Sequence, residues 1–397
     1  MNVYIITKEP FPNGMAATNR IKCYAKALKE HGVCCKILIF MRTGTRDSCS
    51  RNKIGESVWE NIPYQYIGGT SYRHSNLFVR KWNDILDRIR LIIYLRKNLC
   101  AGDVVLGYCG PYVHYINILI DVIHKKHAKY VRDLCELPYG TSSETKMTIK
   151  NRKVVLEKQF PKCDGIIAIS ESLLNLANKY KSSQTKTIKI PIMVDFCKFD
   201  MEDRSNEAEV PYIFHSGTLF EQKDGILGMF EAFGMVTQKY KKPLNFILTG
   251  QMEKSPHMEQ IKTIIHKYHL EDRIHFVGYL NDEKLRDYLS KASLVIINKN
   301  ITQQNKYCFS TKLAEYLAAE KVVIITNVGE AAFWLKNKDS AYIVEPENAE
   351  KLSESIIYAL KNSKLSKEIA KKGKELCRET FNYKCYGKVL SDFLRTC

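Results

Sequence analysis

Several common chemistries are missing from this sequence of 397 residues. No Asp-x-Asp triplet occurs, and no His/Cys/Asp/Glu set has metal-ligand spacing; His124 and His127 stand close together without a partner near in sequence. No metal is expected. The 13 cysteines include no Cys-x-x-Cys pair, which suits a reducing compartment. No Gly-x-Gly-x-x-Gly follows the first apolar segment, which removes the usual argument for a nicotinamide cofactor, and no cofactor is expected. Apolar runs such as 115–120 are interrupted and fall short of the ~18 residues a membrane span needs. Met1 to Ile6 run directly into an apolar strand, with no basic region and long apolar signal, so the chain reads as cytoplasmic.

Acids are also in short supply. The 61 Lys and Arg exceed the 43 Asp and Glu, a net charge of +18. Residues 1–200 hold 32 basic against 17 acidic residues, and the remainder 29 against 26, so the first half is the basic half. A basic face attracts nucleic acid, anionic lipid or a phosphorylated substrate, or it only keeps the protein soluble. No nucleic-acid-binding motif and no interleaved aromatic and basic face accompanies it, so nucleic acid is not an expected partner. Between Arg80 and Lys97 the apolar Trp82, Ile85, Leu86, Ile89, Ile92 and Ile93 alternate with Arg80, Lys81, Arg88, Arg90, Arg96 and Lys97. Such a segment lies on an anionic membrane surface, or packs on its own sheet.

What is present is length, an apolar content of 45% and a strand-then-helix rhythm. Size scaling favours two domains. Buried strands are read at 2–6, 35–40, 104–108, 130–134, 165–169 and 188–192, with amphipathic segments between several of them. After a polar, acidic stretch at 201–209 the rhythm restarts at 212–215, 245–248, 274–277, 294–297, 322–325 and 342–344. The expected architecture is α/β, with two doubly wound Rossmann-like domains, 1–200 and 210–380, facing a central cleft.

The most informative run is Phe309-Ser310-Thr311-Lys312-Leu313-Ala314-Glu315-Tyr316-Leu317-Ala318, followed by a β-branched strand and the turn Asn327-Val328-Gly329-Glu330. Ser310 is a suitable N-cap, and Leu313, Ala314, Leu317 and Ala318 recur at helical spacing. The helix mouth offers free N–H groups to an anion, with Lys312 and Glu315 one turn apart as a cation and a hydroxyl acceptor. That combination suits a nucleotide diphosphate and its ribose.

This run resembles the donor-binding segment of family 4 glycosyltransferases, enzymes of the GT-B fold. Further segments are similar in order: His215-Ser216-Gly217-Thr218-Leu219 with Lys223-Asp224-Gly225-Ile226, then Val277-Gly278-Tyr279, then 288–295. The first half is similar more loosely, at 131–134, 164–170 and 190–195. The resemblance implies a retaining hexosyl transfer from a nucleotide-diphosphate sugar, with leaving group and acceptor on one face of the sugar. It also implies a C-terminal helix, 381–397, packing back on the N-terminal domain.

Carried over by position, the resemblance gives Lys223 the neutralising of the leaving diphosphate and Glu315 the ribose hydroxyls. Ser310 and Thr311 offer amides to the phosphates, and Gly278 lets the base approach the main chain beside Tyr279. Gly217, Thr218, Tyr307 and Lys312 complete the donor side. The acceptor falls to the first half, where Gly14, Asn19 and Arg20 follow the first strand and Arg132 ends a later one. Asp133 and Glu136 are the candidates for a base, although Arg132 and Asp133 also suit a local surface pair.

Two positions depart from the family pattern. Family members usually carry two glutamates separated by seven residues, and Tyr307 stands where the first, beside the transferred sugar, would be. Thr218 stands where many members have a basic residue, which shifts charge neutralisation to Lys223 and Lys312. The expected partners are a nucleotide-sugar donor, a glycan or lipid-linked acceptor and an anionic membrane surface, in cell-surface polysaccharide assembly at the inner face of the plasma membrane. A nucleotide-sugar epimerase on the same scaffold, or a binding module with weakened catalysis, is the alternative.

Overall fold

The computed structural model of the chain describes residues 1–44, 52, 55–108, 113–140, 144–199 and 208–397. These divide into two compact units: Met1–Met193 with Tyr383–Cys397, and Val194–Asn382. Of the linker expected near 200–210, residues 200–207 lie outside the described residues.

The first unit runs β1 (Asn2–Thr7), α1 (Ala16–Glu30), β2 (Cys34–Ile39), β3 (Glu56–Trp59), β4 (Ile62–Tyr66), α2 (Leu77–Asn98), β5 (Val104–Tyr108), α3 (Val113–His124), β6 (Lys129–Leu134), α4 (Lys146–Val154), β7 (Gly165–Ala168), α5 (Glu171–Tyr180) and β8 (Lys186–Lys189). Its sheet has the order β3-β4-β2-β1-β5-β6-β7-β8, and every neighbouring pair is parallel except β3–β4. That exception is a hairpin turned by Glu60 and Asn61, both at positive φ (45° and 60°), the twist a tight hairpin requires. The last strand lies at Lys186–Lys189 and not at the expected 188–192, because Pro191 has no N–H to continue a ladder.

The second unit runs β9 (Tyr212–His215), α6 (Glu221–Asp224), α7 (Ile226–Lys239), β10 (Asn245–Thr249), α8 (Met258–Tyr268), β11 (Ile274–Gly278), α9 (Asp282–Lys291), β12 (Leu294–Ile297), α10 (Gln303–Tyr307), α11 (Thr311–Ala318), β13 (Val323–Thr326), α12 (Ala331–Trp334), β14 (Tyr342–Val344), α13 (Ala349–Lys361) and α14 (Ser363–Thr380). All neighbours in its sheet, ordered β11-β10-β9-β12-β13-β14, are parallel. The strands are short and apolar because helices cover both faces. Phe230, Phe233 and Phe246 pack with rings 5.3 to 5.9 Å apart at the centre of this core.

The closing helix, α15 (Gly387–Thr396), belongs to the first unit. Leu390, Phe393 and Leu394 enter the same apolar cluster as Val3, Ile5 and Tyr24. Gly387 makes this possible: a Cβ there would lie 2.3 Å from the His31 ring and 3.1 Å from the Ala27 carbonyl of α1. Leu390 is fully buried, so Leu390→Ala is expected to lower unfolding stability by about 2–5 kcal/mol in urea titrations. Val389→Ala, at an exposed neighbour, is expected to leave it nearly unchanged.

Candidate functional site

The order of the second sheet reverses between β9 and β12, since the chain builds outward from β9 through β10 to β11 and then returns to the other side. Open α/β sheets bind ligands beyond the carboxyl ends of the strands at such a point. The loop after β9 is fixed there by backbone contacts. Gly217 N–H donates to Thr249 Oγ1 at 2.7 Å, and Ser216 N–H donates to the Tyr316 hydroxyl at 2.8 Å. Tyr316 sits on α11, so this bond ties the β9 loop to the helix whose mouth is the expected anion site.

Charge gathers at the same point. Lys312, in the first turn of α11, forms an ion pair with Asp224, which is almost fully buried at the end of α6. Thr218 Oγ1 donates to the other Asp224 oxygen at 3.2 Å, and Lys299 Nζ donates to the Lys223 carbonyl at 2.8 Å. Burial alone would raise the Asp224 carboxyl, but Lys312, His215 and Lys299 hold it well below the usual carboxylate range. Burial lowers the Lys312 ammonium, Asp224 opposes that shift, and Lys299 and Lys223 reinforce it.

His215 completes the cluster. Its Nδ1–H donates to the Ile296 carbonyl at 2.9 Å, while Nε2 is buried and has no hydrogen-bond partner. Burial, aided by Lys312, depresses its pKa to about 4, so the ring is neutral at pH 7. A Cβ on Gly217 would lie 2.7 Å from Lys312 Nζ and 2.9 Å from His215 Nε2. The glycine therefore keeps open a small space lined by an ammonium and a neutral acceptor.

The other donor-side residues are distributed around this core. Ser310 occupies the N-cap of α11, as its type suggests, but its side chain makes no cap hydrogen bond; Thr311 opens the helix and Glu315 follows Lys312 by three residues, half-buried. The exposed side chain of Lys223 rises from α6, next to Asp224. Gly278 ends β11 at φ 67°, a conformation that favours glycine, and Tyr279 beside it is exposed. Tyr307 ends α10, whose Asn305 Nδ2 donates to the Gln222 carbonyl at 3.0 Å. Gly329 lies over this segment, where a Cβ would meet Asn305 O at 2.7 Å. Thus the 305–308 segment, the α6 loop and the 327–330 turn form one support. Asp224, His215, Lys299 and Tyr316 were assigned no role from sequence. Asp224, His215 and Tyr316 lie inside the family-like runs, whereas only the position of Lys299 just after an apolar strand marked it.

In the first unit the acceptor candidates divide. Arg20, on α1, pairs with Asp133 at the end of β6, with Nε 3.0 Å from Oδ2 and Nη2 3.2 Å from Oδ1. The guanidinium also donates to the carbonyls of Pro191 at 2.6 Å and Ile190 at 2.9 Å, and the Tyr24 hydroxyl donates to Asp133 at 2.9 Å. The local pair considered for Arg132 and Asp133 is therefore replaced by a buried pair of Asp133 with Arg20. Arg132 donates instead to Gln159 at 2.9 Å and lies over the Phe160 ring. Asp133, a candidate for the base, is thus fully buried and enclosed by these donors. Glu136 is exposed beyond β6, Gly14 lies against Thr18, and Asn19 is half-buried on α1.

Residues 198–376 match the sequence model of the family described as "Glycosyl transferases group 1". No curated protein matches the chain significantly. Among solved structures, sucrose-phosphate synthase from Thermosynechococcus elongatus is similar at a TM-score of 0.76 and 16% identity, covering 100% of this chain and 98% of that one. HepE from Anabaena, solved with UDP, is similar at 0.72 and 12%, covering 100% of both chains. A variant of TarM from S. aureus, solved with Fondaparinux, alpha-GlcNAc-glycerol and UDP, is similar at 0.75 and 11%, covering 99% and 100%. The chain has the GT-B fold, and the matched segment with these neighbours supports a glycosyltransferase.

Two outcomes follow from the buried charges. The folded pKa of His215 lies below the unfolded value of about 6.5, so the unfolded chain takes the proton first. Its contribution is therefore intact above that pH and falls by about 3 kcal/mol as pH drops to about 4. Urea titrations across this window are expected to show a shallower loss in His215→Asn than in the wild type. Asp133→Asn leaves Arg20 buried beside a neutral amide and is expected to lower stability at pH 7 by about 3–5 kcal/mol.

Proposed function

We propose that the chain is a retaining glycosyltransferase, moving a hexose from a nucleoside diphosphate donor to a hydroxyl of a glycan or lipid-linked acceptor without a metal ion. The observation that carries this reading is the cluster at the β9–β12 switch point. Lys312 lies beside a glycine-floored space near the mouth of α11, and Lys299 and Lys223 stand near enough to add to the positive charge it feels. Three ammonium groups and helix N–H donors match the charge that develops on a departing diphosphate. Uridine diphosphate is the first nucleotide to try, because HepE and TarM are solved with it.

In the proposed step the bond between the anomeric carbon and the diphosphate oxygen breaks while the acceptor oxygen bonds to the same face of that carbon. The acceptor proton passes to the leaving diphosphate, so the protein supplies no nucleophile. Lys223 and Lys312 hold the diphosphate, Glu315 accepts from the ribose hydroxyls, and Ser310 and Thr311 present amides to the phosphates. Tyr307 replaces a carboxylate beside the sugar with a phenol, which selects a donor sugar that gains from a neutral partner. With Asp133 enclosed, Glu136 is the acceptor-side carboxylate in this reading. The pathway is cell-surface polysaccharide assembly on the cytoplasmic face of the membrane.

Thermal-shift titration with uridine, guanosine and adenosine diphosphates and their sugars tests the donor site. A ligand at 100 times its Kd is expected to stabilise the folded chain by about 2.7 kcal/mol. Gly217→Ala, whose Cβ enters the space beside Lys312, is expected to abolish the shift while keeping the fold. Lys223→Ala and Glu315→Gln are expected to lower kcat/KM by about 10²–10³-fold, and turnover is expected to persist in EDTA. Stabilisation by a nucleotide sugar with neither transfer nor hydrolysis would overturn the enzymatic reading, and stabilisation by none of them would overturn the donor site.

A further inference from the structure

The helix α2 has two apolar faces, and its fold uses one of them. Leu91 and Leu95 are buried, and so is Asp87, which pairs with Arg42 at 2.8 Å and with Arg90 at 2.8 Å. The Tyr115 hydroxyl of α3 donates to the Arg88 carbonyl at 3.2 Å, fixing the same inner side. Asn76 caps the helix by accepting from the N–H groups of Phe78 and Val79. The sequence alternative of an apolar stripe packed on its own sheet therefore accounts for this inner side alone.

The outer side carries Phe78, Trp82, Ile85, Ile89 and Ile93, with Phe78 83% and Trp82 63% exposed and the three isoleucines close to half. At ~100° per residue these five occupy an arc of about 80°, opposite the buried residues. With a rise of ~1.5 Å per residue the ridge is about 22 Å long. Exposed large apolar side chains are ordinary when scattered, but a continuous ridge of them is an interaction surface. Lys81 lies within about 60° of one edge of the arc and Lys97 within about 60° of the other; Arg90 is held by Asp87, and Arg88 lies over the Tyr115 ring. Arg96 closes its end. The two acids of the helix turn away: Asp87 inward, and Asp84 into a pair with Arg73.

We propose that the outer face of α2 seats the first unit on a lipid bilayer bearing anionic head groups. The apolar ridge lies in the plane of the interface, and the flanking cations meet the head groups. Charge complementarity favours this occupant: an apolar ridge edged by cations and free of acids matches a surface that is apolar beneath and anionic above. Among the described residues no helix is long and apolar enough to cross a membrane, so the contact is peripheral. It gives the proposed lipid-linked acceptor a surface on which to be met, yet it rests on α2 alone.

Co-sedimentation of the full chain with phosphatidylcholine vesicles, with and without phosphatidylglycerol, tests it. Binding is expected to need phosphatidylglycerol, to weaken as salt is raised, and to shift Trp fluorescence to shorter wavelength through Trp82. Trp82→Ser combined with Ile89→Ser is expected to weaken binding at least about tenfold, since two large apolar side chains no longer leave water. Lys81→Glu with Lys97→Glu is expected to remove the preference for phosphatidylglycerol, and Val389→Ser on α15 to change nothing. All of these positions are exposed, and circular dichroism confirms folding in each variant. Absence of binding at low salt, or binding indifferent to Trp82→Ser with Ile89→Ser, would overturn the proposal. So would a wild-type dimer in sedimentation velocity that this double variant dissolves, because the ridge would then belong to a second copy. Nucleotide-induced stabilisation reads the donor site separately, so the two readings can fail independently.

Discussion

The ion pair between Lys312 and Asp224 is the interaction on which the second unit's site depends. It joins the first turn of α11 to the end of α6 and so brings together loops from opposite sides of the β9–β12 switch. Thr218 and Lys299 both bond to the end of α6, and Tyr316 ties α11 to the segment after β9. Breaking such a pair by removing one partner leaves an uncompensated charge in a partly buried setting, which is why position matters here more than strength.

Much of the architecture is legible because parallel strands covered on both faces announce themselves as apolar β-branched runs. The segments 212–215, 294–297 and 342–344 form strands with the bounds read from the sequence. The β3–β4 hairpin escaped this reading because its strands are short and half-exposed, with Pro63 inside one of them. Around the site, the run from Phe309 to Ala318 marked a helix mouth through its own spacing. Partner choice was not legible in the same way: Asp224 and Lys312 are far apart in sequence, and only the fold makes them neighbours.

The first unit shows the opposite use of similar residue types. Arg20, after the first strand, was a candidate for the acceptor and Asp133, at the carboxyl end of β6, for the base; the fold buries the two as a brace between α1 and β6. Arg20 also holds the carbonyls of Ile190 and Pro191, where the chain leaves the last strand of that sheet. A charged residue at the carboxyl edge of a strand is therefore ambiguous until its enclosure is known. Exposed Glu136 and the enclosed Asp133 lie three positions apart, one beyond β6 and the other within it.

Asp224 has one more effect. Standing among cations, it acts as a built-in counter-ion that offsets part of the mutual repulsion of Lys312, Lys299 and Lys223. An incoming anion has to compete with this resident carboxylate for Lys312. On the proposed donor reading a singly charged species gains little from such an exchange, whereas a diphosphate carries charge enough to displace the carboxylate from Lys312. On that reading the carboxylate sets a valence threshold that disfavours the small monoanions abundant in any cell.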